Sequence, residues 1–534
     1  MHGTTSINSV HAYGACFEIY NEDLRLRERY LKFNVPALQH TIASALGASS
    51  VSLFAKVAEG GFNRLFEATC SDGRRVLARL PYPSTVPKHY TTASEVATLE
   101  YLRLNGFPVP RVHAWSSTTD NAVGAEYIIM ERLHRTPFGD VWYILDFKQR
   151  YKVIEQIVRL ERKLFDLQIP ASGSIYFPGI LNEHERAQAV PLRTQDGEFC
   201  IGPVAHHSWW SGERMTVSDF PWSESSAIFP AVGERELQWT KTFAKQRLHY
   251  ERSYRELHGF KKMHPQVHLH ALEKYLQLAN CLGYPQGSNL NRPVLRHLDL
   301  QPNNILLSDS LDVYGLVDWQ HTTIMPLCLA ASMPKYFQNY GDPESDRMAK
   351  PARDLPADFE GMSPAEQASV QARHLKRHNH FLYAALTLRH NPEHYDAIFN
   401  DGVIRHQRLY VHAGTPWEGD SITLEAELIG AIAHWQEVLR SGCRKCDVPP
   451  IQYSKESAAS IMQLYREQQE MDVVMHDLRE MLDVDVYGWV PNEAYAETRE
   501  LARTIKEQMV DGAEADEKER VRDNFPFDDF DEGA

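Results

Sequence analysis

Two carboxylates and one amide in the middle of this chain have the types and spacing to carry a reaction. Asp299 and Asn304 lie in the run His297-Leu298-Asp299-Leu300-Gln301-Pro302-Asn303-Asn304, and Asp318 closes Tyr314-Gly315-Leu316-Val317-Asp318-Trp319. Moving a phosphoryl group needs such a set: one carboxylate to meet the accepting hydroxyl, and an amide oxygen with a second carboxylate to hold metal ions. The D-x-x-x-x-N spacing from Asp299 to Asn304 supplies the first two. His-x-Asp alone is common in a chain of 534 residues and carries little. Asn304 and the correctly placed Asp318 supply the context that makes it informative.

The elements around these residues must bring them together. Ile305-Leu306-Leu307 and residues 313–317 read as two short apolar strands joined by the polar turn Ser308-Asp309-Ser310, a hairpin. A hairpin returns the chain to its start, so Asp318, as a buried-strand residue, is expected beside Asn304. Upstream, residues 51–57, 62–69 and 75–80 read as strands, the last two joined through Ser71-Asp72-Gly73. A helix should follow with Thr92 as its N-cap and Glu95 completing a capping box. Val96, Leu99 and Leu102 form its inner face, and Asn105-Gly106 ends it. Residues 125–132 read as another strand. Residues 22–46 read as helices broken near Asn34-Val35-Pro36, and helical periodicity returns over 148–167, 232–282, 364–390, 421–440, 456–482 and 492–510. The stretch between, 170–230, is rich in aromatic and turn residues.

Composition excludes several classes. A net charge of −15 with no basic stripe argues against nucleic acid as a partner. No apolar run approaches the ~18 residues of a membrane span. The acidic end, Asp528-Asp529-Phe530-Asp531-Glu532, is expected to be a solvated tail. Residues 1–20 are poor in Arg and carry Glu18, unlike a transit peptide. The seven cysteines include only one paired motif, Cys443-Arg444-Lys445-Cys446, and are expected to be reduced thiols rather than a zinc site. His374, His378 and His380 are expected on a solvated helix face.

Further stretches carry a resemblance: Glu59-Gly60-Gly61-Phe62-Asn63, Ala78-Arg79-Leu80-Pro81, Thr92 to Thr98, Gly124 to Glu131, Ile201-Gly202-Pro203, Asp318-Trp319-Gln320-His321 and Gly488-Trp489-Val490-Pro491. With the central motif they resemble the aminoglycoside phosphotransferase and choline-kinase branch of the kinase-like fold. They resemble more closely a fungal group named for altered inheritance of mitochondria, the ninth of its series. The resemblance implies ATP and Mg²⁺ as cofactors. It implies that Gly60 and Gly61 let backbone amides approach phosphates, and that Arg79 grips phosphate where relatives of this fold usually carry Lys. Arg keeps the charge but is bulkier and forked. Glu95 would pair with Arg79, a role that competes with helix capping. Met130, Glu131 and Leu133 fall where an interlobe strand would offer apolar surface and backbone groups to adenine, although a plain core strand is the other reading. Asp299 would orient or deprotonate the acceptor hydroxyl, His297 would shape the loop by hydrogen bonding, and Asn304 and Asp318 would hold Mg²⁺. Leu298 replaces the Arg of a protein kinase's H-R-D, and no A-P-E follows Asp318, so a small-molecule hydroxyl acceptor is expected rather than a protein substrate.

The expected fold is α+β and two-lobed, protein-kinase-like, with a small β-rich N-lobe and a large helical C-lobe carrying the catalytic hairpin. The expected divisions are a helical extension over 1–50, a nucleotide-binding lobe over 51–133, a C-lobe over 134–400, a helical region over 401–515 and an acidic tail over 516–534. The expected activity is ATP- and Mg²⁺-dependent phosphotransfer. The alternatives are a weakly catalytic ATP-binding module acting with a mitochondrial protein partner, or a scaffold working through its later helices. The resemblance implies mitochondria; the sequence otherwise leaves the cytoplasm open.

Overall fold

A computed structural model describes residues 16–194, 197–210, 214, 221–222, 224–440, 448–486 and 488–532. A β-rich lobe is followed by a helical one, the α+β two-lobed arrangement expected. Strands β1 (Val51–Glu59), β2 (Asn63–Cys70) and β3 (Arg75–Pro81) form an antiparallel meander. Gly73, at φ 85°, turns β2 into β3, where a side chain would be strained. Helix α1 (Tyr90–Leu104) follows, then β4 (Val112–Ser116) and β5 (Tyr127–Glu131), giving the sheet order β1-β2-β3-β5-β4. Alternate residues of β2 are buried, as one covered face requires. Phe66 and Ala68 pack with Leu38 and Ile42 of helix Val35–Leu46 on one side, while Ile128, Met130 and Val96 cluster together elsewhere in the lobe.

The capping expectation is corrected. Helix α1 begins at Tyr90, so Thr92 lies inside its first turn and Glu95 caps nothing. Glu126, just before β5, takes over: its carboxylate accepts from the His89 backbone amide at 3.1 Å and from Thr92 Oγ1 at 2.6 Å. A carboxylate at this end also suits the helix dipole. Glu95 is thereby free to turn into the lobe.

In the helical lobe, α2 (Phe147–Phe165) starts at Asp146 with a capping box completed by Gln149. It buries Val153, Ile154, Ile157, Val158, Leu164 and Phe165, the stripe of a core-facing helix. Strands β6 (Ile305–Leu307) and β7 (Val313–Leu316) form the expected hairpin, extended by the short strand Thr136–Pro137. Helix α3 (Pro364–His390) packs against α2, and the two share one core with Leu295, Ile305, Leu316 and Trp319.

A buried ion pair fixes the segment that precedes the central motif. Arg296 donates to Glu161 of α2 at 2.6 Å, to the Ala330 carbonyl at 2.7 Å and to Ser332 Oγ at 2.8 Å. Tyr383 of α3 donates to the other Glu161 oxygen at 2.7 Å. Two helices thus hold the backbone immediately before His297.

Several expectations are corrected. Within 170–230 lies a three-stranded sheet of Ser174–Tyr176, Val190–Arg193 and Glu198–Gly202, whose strands are too short for alternation to be read. The acidic end is anchored rather than solvated. Phe525 and Phe527 are buried, Asp529 and Glu532 accept from Asn21, and Arg25 pairs with Glu532. Strand Cys16–Glu18 pairs with Trp489–Pro491 in the same corner. His378 and His380 are buried and bonded to backbone groups. Cys281 is in a disulfide, a pairing no spacing reveals, while Cys70, Cys200 and Cys328 are free and buried. Cys443 and Cys446 lie outside the described residues. Among the described residues no helix is long and apolar enough to cross a membrane.

Removing one partner of the Glu161 network should be costly, because the other charge stays buried. Glu161→Ala is expected to cost about 3–5 kcal/mol, and Tyr383→Phe about 1 kcal/mol. Urea unfolding followed by circular dichroism measures both. Unchanged midpoints would show that the helices do not depend on this network.

Candidate active site

The hairpin sets the geometry. β6 and β7 pair with Ile305 opposite Leu316, and the Val317 amide donates to the Asn304 carbonyl at 3.0 Å. Asn304 and Asp318 therefore emerge side by side. The strand ends at Leu316, and Asp318 is not the buried-strand residue expected. Trp319 takes the buried place beyond it, with Nε1 donating to the Leu316 carbonyl at 3.2 Å. Asp318 adopts φ 66° and turns its carboxylate outward, 45% exposed. An Asp tolerates this left-handed conformation better than most residues, and such strain concentrates at working sites.

Asp299 lies on the exposed loop before β6. Asn304 Nδ2 donates to the Asp299 backbone carbonyl at 2.9 Å and to Oδ2 at 3.1 Å. Both are acceptors only, so the amide nitrogen must face them and Asn304 Oδ1 must point the other way. His297 is buried, and its Nε2 lies 2.9 Å from the Val317 carbonyl. That carbonyl accepts, so Nε2 carries the proton and ties the loop of Asp299 to that of Asp318. Burial lowers the pKa of His297, keeping the ring neutral. Its Nδ1 has no partner among the described residues.

From the other lobe comes Arg79, on β3. Its guanidinium grips Glu95 of α1 through both carboxylate oxygens, Nη1 to Oε1 at 2.6 Å and Nη2 to Oε2. Nη1 also reaches Asp318 Oδ1 at 3.1 Å. One cation bridges two carboxylates from different lobes. Burial raises the pKa of Glu95, with Arg79 opposing that rise and Asp318 adding to it.

The turn Gly60-Gly61-Phe62 between β1 and β2 sits over the residues after Asp318. Asn63 Nδ2 donates to Gln320 Oε1 at 2.6 Å, and the Phe62 ring lies 4.8 Å from His321 and 5.3 Å from His207. The Gly60 amide donates to the Asn63 carbonyl at 3.0 Å. Neither glycine has a positive φ, and a Cβ at either would meet open space. Neither backbone conformation nor packing therefore demands glycine here.

Leu133 is brought to the hairpin, where a Cβ on Gly315 would come within 2.6 Å of its Cδ1. Met130 is buried with Val96 and Ile128, and the Glu131 carboxylate accepts from the Arg111 amide at 3.2 Å. Both lie on β5, which pairs with β3 so that Met130 is opposite Leu77 and Ile128 opposite Arg79.

No role was expected of Phe62, His207, Gln320 or His321. Phe62, Gln320 and His321 lie in stretches that carry the resemblance, but nothing local shows that the glycine turn rests on Gln320 and His321. Trp209, Trp210 and Trp222, in the aromatic-rich stretch, belong to a buried core, and Arg235 lies 4.3 Å from the Trp209 ring centre.

Residues 54–329 match the phosphotransferase enzyme family. A subtelomeric hrmA-associated cluster protein of Aspergillus fumigatus is 31% identical over 90% of this chain and 97% of its own length. The mitochondrial altered inheritance of mitochondria protein 9 of Saccharomyces cerevisiae is 22% identical over 86% of this chain and 76% of its own. A solved Plasmodium vivax ethanolamine kinase aligns over 77% of this chain and 80% of its own at 12% identity, with a TM-score of 0.32. By its match over more than half its length, this chain belongs to the phosphotransferase enzyme family.

Proposed function

We propose that the protein binds ATP with Mg²⁺ and transfers the γ-phosphoryl group to a hydroxyl of a small molecule. The observation that carries the reading is the convergence of Asp299, Asn304 and Asp318 on one hairpin, with Arg79 reaching Asp318 from the opposite lobe. Family membership supports the same class of reaction.

The donors suit the cofactor. Asn304 Oδ1 and the Asp318 carboxylate are hard oxygen ligands, the type Mg²⁺ prefers. Among the described residues no cluster of three or more His, Cys, Asp or Glu could hold a metal. A few protein oxygens completed by phosphate and water is a usual Mg²⁺ arrangement. When bound, the metal offsets charge on the phosphates.

In this reading Asp299 meets the acceptor. The hydroxyl gives its proton to the carboxylate as its oxygen bonds the γ-phosphorus; the bridging oxygen leaves with ADP. His297, neutral and bonded to Val317, holds the loops of Asp299 and Asp318 together and transfers no proton. Arg79, fixed by Glu95, presents positive charge where phosphate oxygens would lie. The relatives named as mitochondrial support a mitochondrial location.

A second reading is a weakly catalytic ATP-binding module that works with a mitochondrial protein. The Arg79–Asp318 contact favours it, because the guanidinium engages a carboxylate the metal would need.

Mg-ATP should raise the melting temperature, and chelation should reverse most of the gain; at 100 Kd the stabilisation is about 2.7 kcal/mol. Indifference to millimolar nucleotide would count against both readings.

Asp299→Asn should lower turnover by about 10²-fold or more while largely keeping ATP affinity. Asp318→Asn should lose metal-dependent binding. Calorimetry and ATP consumption separate the two effects, and wild-type behaviour in both variants would break the assignments.

Arg79→Ala and Glu95→Ala should each weaken Mg-ATP binding, and the double variant should lose less than their sum. Arg79→Lys distinguishes the two readings. An enzyme adapted to the fork loses activity, whereas a module whose Arg79 obstructs Asp318 gains turnover. Additive losses in the cycle would show that Glu95 acts independently of Arg79.

A further inference from the structure

The Asp299 carboxylate is held unevenly. Gln301 Nε2 donates to Oδ2 at 2.6 Å, and Asn304 Nδ2 donates to the same oxygen at 3.1 Å. Oδ1 accepts no hydrogen bond among the described residues. Two amides therefore saturate one oxygen and leave the other without a partner among the described residues, on an exposed loop that also carries the exposed Leu298.

The orientation of Gln301 is fixed in turn. A carboxylate only accepts, so Nε2 must face Asp299 and Oε1 must face away. Tyr336 supplies the matching donor, with its hydroxyl 3.2 Å from Gln301 Oε1. The next residue, Phe337, is buried and stacked 5.0 Å from Tyr383 of α3, so the core anchors this segment. The Tyr336 ring itself is 49% exposed. The chain Phe337–Tyr336–Gln301–Asp299 runs from the rigid interior to the carboxylate.

We propose that Gln301 is a positioning residue of the transfer site, sharing Asp299 Oδ2 with Asn304 so that Oδ1 alone receives the acceptor hydroxyl's proton. Tyr336 holds Gln301 in that orientation. The inference rests on the reading that Asp299 meets the acceptor. It also sets the direction of approach: the acceptor arrives from the side of Leu298 and the exposed Tyr336 ring. A molecule seated there touches the side chain that steadies Gln301, and so bears on the aim of the base.

The test uses the full chain with Mg-ATP, and water in the acceptor's place. Gln301→Leu should lower kcat by about tenfold, the loss of one charge-assisted hydrogen bond, with the KM for Mg-ATP unchanged. Gln301→His, which restores an N–H donor, should recover much of the loss, and Tyr336→Phe should fall between. Parent-like kcat in Gln301→Leu, or a change confined to KM, overturns the proposal. So does a Gln301→His variant as slow as Gln301→Leu.

A second measurement needs no turnover. In protein labelled with ¹⁵N at glutamine, the Gln301 side-chain amide is identified by its loss in Gln301→Leu. It should shift in both Asp299→Asn and Tyr336→Phe. An amide that moves in neither ends the proposal. If Asp299→Asn hydrolyses ATP like the parent, the reading of Asp299 fails instead, and the amide shifts alone decide whether Gln301 holds it.

Discussion

Arg79 has one guanidinium and two carboxylates to serve, and they come from distant parts of the chain. Glu95 arrives on α1, and Asp318 on the loop after β7. The pair with Glu95 is buried, where an unpartnered charge would cost several kcal/mol. Arg79 is therefore locked to the helix of its own lobe and can reach the other only with the hydrogen bond to Asp318. The lobes also meet at Asn63–Gln320 and where the Leu316 amide donates to the Pro108 carbonyl at 2.7 Å. Of these contacts, the one at Asp318 joins a charge to a proposed metal ligand, so the packing of the two lobes and the electrostatics of the site are one problem.

The other half of the site depends on a short hairpin with little freedom. Its strands share one core with α2 and α3, and Arg296 is clamped by Glu161 immediately upstream. That rigidity lets side chains on exposed loops hold fixed relations, since Asp299 and Asp318 are themselves open to solvent. Amide hydrogen bonds then aim the carboxylate of Asp299. Precision comes from the buried frame, while the two carboxylates stay accessible.

Local features were legible in the sequence, and long-range ones were not. The β2–β3 turn, the β6–β7 hairpin, the long helices and the proximity of Asn304 to Asp318 follow from alternation, periodicity and turn residues a few positions apart. The start of α1 was misplaced because its acceptor, Glu126, lies beyond β4; Thr92 and Glu95 carry a capping spacing that the fold does not use. The sheet within 174–202 was missed because its strands are three to five residues long. The acidic end looked solvated by composition, yet Phe525 and Phe527 are interior residues whose cluster joins Met475, Leu478 and Ala502 to the distant Ile19. The pairing of Arg79 with Glu95 was implied by the resemblance, while the reach to Asp318 depends on how two lobes close.

That meeting of distant ends bears on how the protein is made. Strand Cys16–Glu18 pairs with Trp489–Pro491, and Asn21 bonds to Asp529 and Glu532. A ribosome delivers the first of these partners long before the second. The five-stranded sheet and the hairpin can settle early, because their contacts are nearer in sequence. The corner around Ile19 cannot be covered until residues 525–532 have left the exit tunnel. Until then the nascent chain carries an unsealed apolar edge around Ile19, and this corner closes only after the five-stranded sheet and the hairpin have been made.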